Sequence, residues 1–168
     1  SWSYDSQGRA VLSEHAGGAQ RHHLEYAADG SVRVVDPLST ARVQRYGAAG
    51  AKQVFSGQNQ PCANCIGDAA ERIFDATSGL VLQSRDYLGV NTSFAYDSRK
   101  LLSSVTRAQG RPEQRQLQIE WHPTLRLPVR VIEPGRTTEY AYDDFGNTLG
   151  KTLTDAATGE HRTWRWTY

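Results

Sequence analysis

The sequence predicts an all-β protein, an antiparallel sheet assembled hairpin by hairpin, and three observations lead there. Apolar and polar residues alternate over short runs such as "TTEYAYD", "LPVRVIE" and "HRTWRWTY", the pattern of a strand that buries one face. Clusters of Gly, Asp, Asn, Ser and Pro separate those runs, and these are the residues that open turns or accept positive φ. Apolar stripes at i, i+3, i+4 are rare, so amphipathic helices have little sequence to occupy. Pro128 stands near the start of its run, where a strand tolerates it. Strand ends are expected at "DSQG", "AADG", "ATSG", "HPTLR" and "DDFG", and no helix beyond about two turns except around "CIGDAAERI".

The 168 residues, 38% of them hydrophobic and 15 of them Gly, amount to one domain's worth of turn-rich chain with a mean hydropathy of -0.61. No run of about 18 apolar residues is present to span a bilayer, and no charged start followed by an apolar segment marks a signal peptide. The opening "SWSYDSQG" already reads as the interior of a pattern, which suggests a piece of a longer chain. Net charge is +1, from 19 basic and 18 acidic residues, and apart from Lys52, Lys100 and Lys151 the basic residues are Arg. They are scattered among acids and form no stripe, which argues against nucleic-acid binding. Two cysteines cannot staple a fold of this size.

One feature recurs along the chain. An aromatic pair appears as Trp2-x-Tyr4, Phe94-x-Tyr96, Tyr140-x-Tyr142 and Trp166-x-Tyr168, and with an aliphatic first member as Leu24-x-Tyr26 and Ile119-x-Trp121. A weaker copy ends at Phe74, with Arg72 as its first member. Successive second members are 22 residues apart from Tyr4 to Tyr26 and from Phe74 to Tyr96, then 25, 21 and 26 apart to Trp121, Tyr142 and Tyr168. Residues i and i+2 of a strand share a face, so each pair sets two large side chains side by side. The second members should therefore line one side of the sheet. Asp follows directly at Asp5, Asp75, Asp97 and Asp143, where its carboxylate can accept a backbone N–H two residues on. Gly8, Gly30 and Gly146 fall four residues after the aromatic and Gly79 five after, where a turn needs positive φ. A second strand then follows, so one unit is two strands and two turns.

This Tyr-Asp-x-x-Gly unit resembles the YD repeat of the Rhs family, related in this repeat to toxin-complex C components and teneurins. The likeness is closest to the Rhs proteins among bacterial polymorphic toxins, through Trp121-His122-Pro123, Arg126-Leu127-Pro128 and Glu133-Pro134-Gly135-Arg136. It covers most of the chain from Cys62 onward, and the first sixty residues match more loosely. The resemblance implies residues 1–56 as looser YD-repeat hairpins, 57–70 as a Cys-containing loop between repeats, and 71–168 as hairpins of an Rhs core. It further implies a segment of a spiralling hollow β-shell, the structural wall of a cocoon around a C-terminal toxin, with delivery by type VI secretion in bacterial competition. Its partners would be the remainder of the shell, the enclosed toxin, and a secretion spike protein or chaperone. Such a protein is made in the bacterial cytoplasm and secreted without a visible signal peptide. A PAAR-like tip domain, an Asp-Pro-x-Gly self-cleavage motif and a variable toxin domain are not found in this sequence.

Other conspicuous residues have ordinary readings. Cys62 and Cys65 have CxxC spacing, which supplies half a zinc site or a redox pair. With no second CxxC or H-x3-H, the favoured role is a structural one in the loop, reduced or disulfide-bonded, ahead of a metal half-site completed elsewhere. His15, His22, His23, His122 and His161 form no ligand motif, and His122 before Pro123 reads as a turn former. "DDFGN" lacks the calcium-loop spacing, and no G-x-S-x-G elbow marks a nucleophile. The expectation is no enzyme, no cofactor, no metal and no membrane segment. A competing class is a carbohydrate- or receptor-binding adhesin whose Tyr and Trp stack on sugars.

Overall fold

Why each alternating run becomes a strand is answered by what its turns and faces require. The computed structural model describes residues 1–62 and 69–168, which form two compact units, Ser1–Gly89 and Val90–Tyr168. The first contains β1 (Trp2–Tyr4), β2 (Ala10–Ser13), β3 (His22–Tyr26), β4 (Val32–Val35), β5 (Ala41–Ala49), β6 (Lys52–Gln58), β7 (Glu71–Phe74) and β8 (Val81–Arg85). β1 to β6 form an antiparallel meander in chain order, and β7 pairs with β8. The second contains β9 (Asn91–Tyr96), β10 (Leu102–Arg107), β11 (Arg115–Trp121), β12 (Pro128–Glu133), β13 (Arg136–Tyr142), β14 (Thr148–Asp155) and β15 (His161–Arg165), again a meander with each strand beside its sequence neighbours.

The fold is all-β and antiparallel, as the alternation predicts. The one helical element among the described residues is a single 3-10 turn at Ala16–Gly18. Around "CIGDAAERI", residues 65–68 lie outside the described residues, and Glu71–Phe74 is strand, so its described part holds no helix. β15 ends at Arg165, which leaves Trp166 and Tyr168 past the strand that the alternation in "HRTWRWTY" extends to the last residue. With no strand ladder to hold it, Tyr168 is exposed.

In the second unit the register sorts side chains onto two unlike faces. One face carries the rows Phe94–Val105–Leu117, Ile119–Val131–Thr138–Leu153 and Tyr140–Lys151–Trp164. Lys151 Nζ lies 5.9 Å from the Tyr140 ring and 5.7 Å from the Trp164 ring, a cation held between two π faces. The opposite face carries Glu120–Arg130–Glu139–Thr152–Thr163, an ionic row continued by a hydroxyl pair 3.1 Å apart. The charges alternate because like charges directly opposite repel.

Neither unit buries much. Among the described residues only Val32, Ala69, Leu101 and Ala108 are buried hydrophobics, beside the buried polar Gln58 and Thr138. The chain closes tightly where β6 meets the approach to β7. Gln58 N–H donates to Ala69 O at 3.0 Å and Arg45 reaches Ala70 O at 2.7 Å. Gly57 sits there at φ 146°, and a Cβ on it would stand 2.3 Å from Ala70 O, so no other residue fits without moving the backbone.

Candidate functional site

The repeat unit is the site this chain offers, and it is built from a turn, a bulge and a brace. The turn is opened by Asp. Asp5 Oδ1 accepts the backbone N–H groups of Gln7 and Arg9, both at 2.9 Å. Asp97 does the same for Arg99 and Leu101 at 2.9 and 2.8 Å, and Asp143 for Phe145 and Asn147 at 3.0 and 2.8 Å. In each, the Asp N–H also donates to the carbonyl four residues on, which closes the loop. Gly8 and Gly146 hold the third position after Asp with φ of 76° and 88°. Gly30 holds the equivalent place with φ 82° in the turn that starts at Ala27. Lys100 occupies that slot after Asp97 at φ 63°, where a side chain is strained. Asp75 spans a loop one residue longer, bonding Thr77 and Ser78, with Gly79 at φ 73°.

The second carboxylate oxygen is used as well. Asp5 Oδ2 receives Arg9 Nε at 2.7 Å, and Asp143 Oδ2 receives Asn147 Nδ2 at 2.8 Å. Hydrogen bonds to the charged form lower a carboxyl pKa. Asp5 is lowered chiefly by the Arg9 N–H and Asp143 chiefly by the Asn147 side chain.

Directly before the turn the register slips. Ser3 pairs Leu12 but Tyr4 pairs Ala10, so Val11 is an extra residue. The same slip recurs where Phe74 pairs Val81, Tyr96 pairs Leu102, Trp121 pairs Pro128 and Tyr142 pairs Thr148. Each of these second members thus lies opposite a β-bulge, whereas Tyr26 pairs Val32 without one. A bulge interrupts the ladder and leaves backbone groups in need of partners.

The brace answers that need. Tyr26 OH donates to Ala10 O at 2.9 Å, Trp121 Nε1 to Leu102 O at 2.8 Å, and Tyr142 OH to Pro128 O at 2.8 Å. Ala10, Leu102 and Pro128 are the residues paired with the second members of the preceding copies, Tyr4, Tyr96 and Trp121. Every brace therefore ties one repeat to the one before it. This explains a preference for Tyr and Trp, which bring a polar tip to an apolar body. Partial burial pushes the Tyr142 and Tyr96 phenols above their ordinary pKa. Tyr140 stacks on Tyr142, with ring centroids 6.3 Å apart, and Arg9 covers Tyr26 at 4.3 Å while holding Asp5.

The sequence reading passed over three further turns. Asp36 bonds Leu38 and Thr40 at 3.0 and 2.9 Å, Asp155 bonds Ala157 and Thr158 at 2.9 Å each, and Asp86 bonds Leu88 at 2.8 Å. They close the other end of the unit, after its second strand. Their signal is the same Asp with Ser39, Gly159 or Gly89 following, hidden because no aromatic pair announces it. His122 plays the Asp part in its own loop, its Nδ1 accepting the Leu125 N–H at 3.1 Å. Cys62 is disulfide-bonded, while Cys65 lies outside the described residues. No group of three or more His, Cys, Asp or Glu side chains among the described residues could hold a metal ion. No helix among them is long and apolar enough to cross a membrane, which leaves strands unaddressed.

No protein-family model and no curated protein matches the sequence. Solved structures do match in fold. Over 99% of its length the chain is similar to a chain in a crystal structure of TcdB2-TccC3-Cdc42, with TM-score 0.63 and 14% identity. In a crystal structure of TcdB2-TccC3 the match covers 89% with TM-score 0.58 and 13% identity. In the Tc holotoxin pore of Photorhabdus luminescens it covers 98% with TM-score 0.52 and 18% identity. The chain spans only 9%, 9% and 10% of those three chains. What it shares with these toxin-complex chains is their fold, an antiparallel sheet.

Proposed function

We propose that this chain is a length of wall in an Rhs-type protein container that encloses a toxin domain until delivery. The observation that carries this is the brace, which ties repeat to repeat along a sheet whose two faces differ. A self-contained domain concentrates burial in a core, whereas here four hydrophobic side chains are buried among the described residues. Sheet of that kind suits a wall with one face toward an enclosed chain and the other toward solvent. The fold it shares with chains in TcdB2-TccC3 complexes supports the same reading. The role is structural and not catalytic, and its partners are the rest of the wall and the enclosed toxin.

The sequence resemblance alone favours delivery by type VI secretion, with a spike protein or chaperone as further partner. The likeness to a chain of a Tc holotoxin pore favours instead release through a pore of that kind, in either case outside the producing cell. The test is limited proteolysis of the full-length parent protein. A C-terminal segment that resists protease in the native protein and is cut once the sheet is unfolded supports a container. A segment cut at once in the native protein overturns it.

A second reading, an adhesin module, draws on the exposed Trp2, Tyr4 and Trp166 rings. Saturable binding of the chain on a glycan array would favour it over the container.

A further inference from the structure

The second unit carries a groove that the repeat does not account for. It opens beside the turn between β10 and β11, with a volume of about 440 Å³, and its lining includes Val105, Leu117, Arg107, Arg115, Glu133 and Arg136. Val105 pairs directly with Leu117 across the strands, and two residues on Arg107 pairs directly with Arg115. Two guanidinium groups opposite each other on one face repel, so the fold alone gains nothing from them. Both are exposed. Neither makes a hydrogen bond or ion pair among the described residues. Elsewhere on the strands Arg33 is matched with Glu25, Arg85 with Glu71, and Arg130 with both Glu120 and Glu139.

We propose that this groove binds a polypeptide segment in which carboxylate side chains alternate with apolar ones. A carboxylate between Arg107 and Arg115 would remove their repulsion and accept paired N–H donors from a planar fork. An extended segment places every second side chain on one side, so the apolar neighbours of that carboxylate can reach Val105 and Leu117. A second groove of about 710 Å³ shares Pro134 and Arg136 with it, which gives an extended segment room to run. Nucleic acid fits less well. No Phe, Tyr or Trp side chain lines either groove for a base to stack on. The inference stands apart from the wall reading, because it needs only the second unit's own surface.

The test is fluorescence anisotropy of three labelled probes titrated with the whole chain at low salt: a ten-residue peptide alternating Glu with Val, its Lys-for-Glu counterpart, and a ten-residue oligothymidine. The Glu peptide should bind at least about tenfold tighter than the other two, and more weakly as salt rises. Arg107→Glu should weaken that binding at least about tenfold while raising the thermal midpoint by roughly 1–5 °C, since it turns a repulsion into a pair. Arg33→Glu, in the first unit, should leave binding unchanged. Equal binding of the Lys peptide, no binding of the Glu peptide, or binding indifferent to Arg107→Glu would overturn the proposal. A midpoint that does not rise would remove its premise, and tighter binding of oligothymidine would reassign the groove to nucleic acid.

Discussion

A tyrosine in this chain does two jobs with two ends of one side chain. The ring of Tyr142 stacks on Tyr140, and its hydroxyl reaches Pro128 O at 2.8 Å. Tyr142→Phe keeps the ring and deletes only the donor, so chemical denaturation should show a loss of about 1 kcal/mol, the usual worth of one such bond. A change near zero would mean that water takes the carbonyl over. At Lys100 the sign reverses. Its φ of 63° suits glycine, as Gly8 and Gly146 show in the same slot. Lys100→Gly should stabilise by up to about 1 kcal/mol, relief of left-handed strain exceeding the added chain entropy. The aromatic pairs, the Asp and the Gly were legible in the sequence because each is a local requirement of one strand or one turn. Lys100 was not, because nothing about a lysine announces positive φ. The acceptors Ala10, Leu102 and Pro128 were also hidden, since a bulge is a relation between two strands that one strand's residues do not spell out.

At the scale of the element, the turns at Asp5, Asp36, Asp143 and Asp155 each depend on a carboxylate that stays charged. Asp5, Asp36, Asp143 and Asp155 all have lowered pKa values, for Asp36 mainly through the Thr40 N–H and for Asp155 mainly through the Thr158 N–H. A group whose folded pKa is depressed adds stability that is complete above its unfolded pKa, near 3.9, and is lost as pH falls through the folded value. Thermal midpoints should hold level above about pH 5 and drop steadily below about pH 4. Asp143→Asn should flatten part of that drop and lower the plateau; an unchanged acid limb would show that these turns do not set the pH response. Strand positions were the most legible part of the fold, because alternation fixes them. The end of β15 was less so, since Trp166 and Tyr168 continue an alternation that the ladder does not follow.

For the whole molecule, the uncovered surface decides behaviour. Among the described residues β1 pairs only with β2 and β15 only with β14, so each sheet presents strand edges whose N–H and C=O groups can recruit another chain. Trp2, Tyr4, Trp164 and Phe145 add exposed apolar surface. Light scattering over a concentration series should show the chain associating as concentration rises. A clean 18.7 kDa monomer at high concentration would mean that the edges are protected within these residues and would count against the wall reading.

The brace has a consequence for how such a sheet comes apart. Tyr142 holds Pro128, the partner of Trp121, and Trp121 holds Leu102, the partner of Tyr96, so each of these braces fastens one repeat to its neighbour. Stability in such an array is a sum of nearest-neighbour couplings. Unfolding then advances as a front, releasing one repeat and exposing the next brace. Pulled from one end, the sheet would yield in steps of a little over twenty residues, like a zip whose teeth are tyrosines and tryptophans, and resistance would depend on one link at a time.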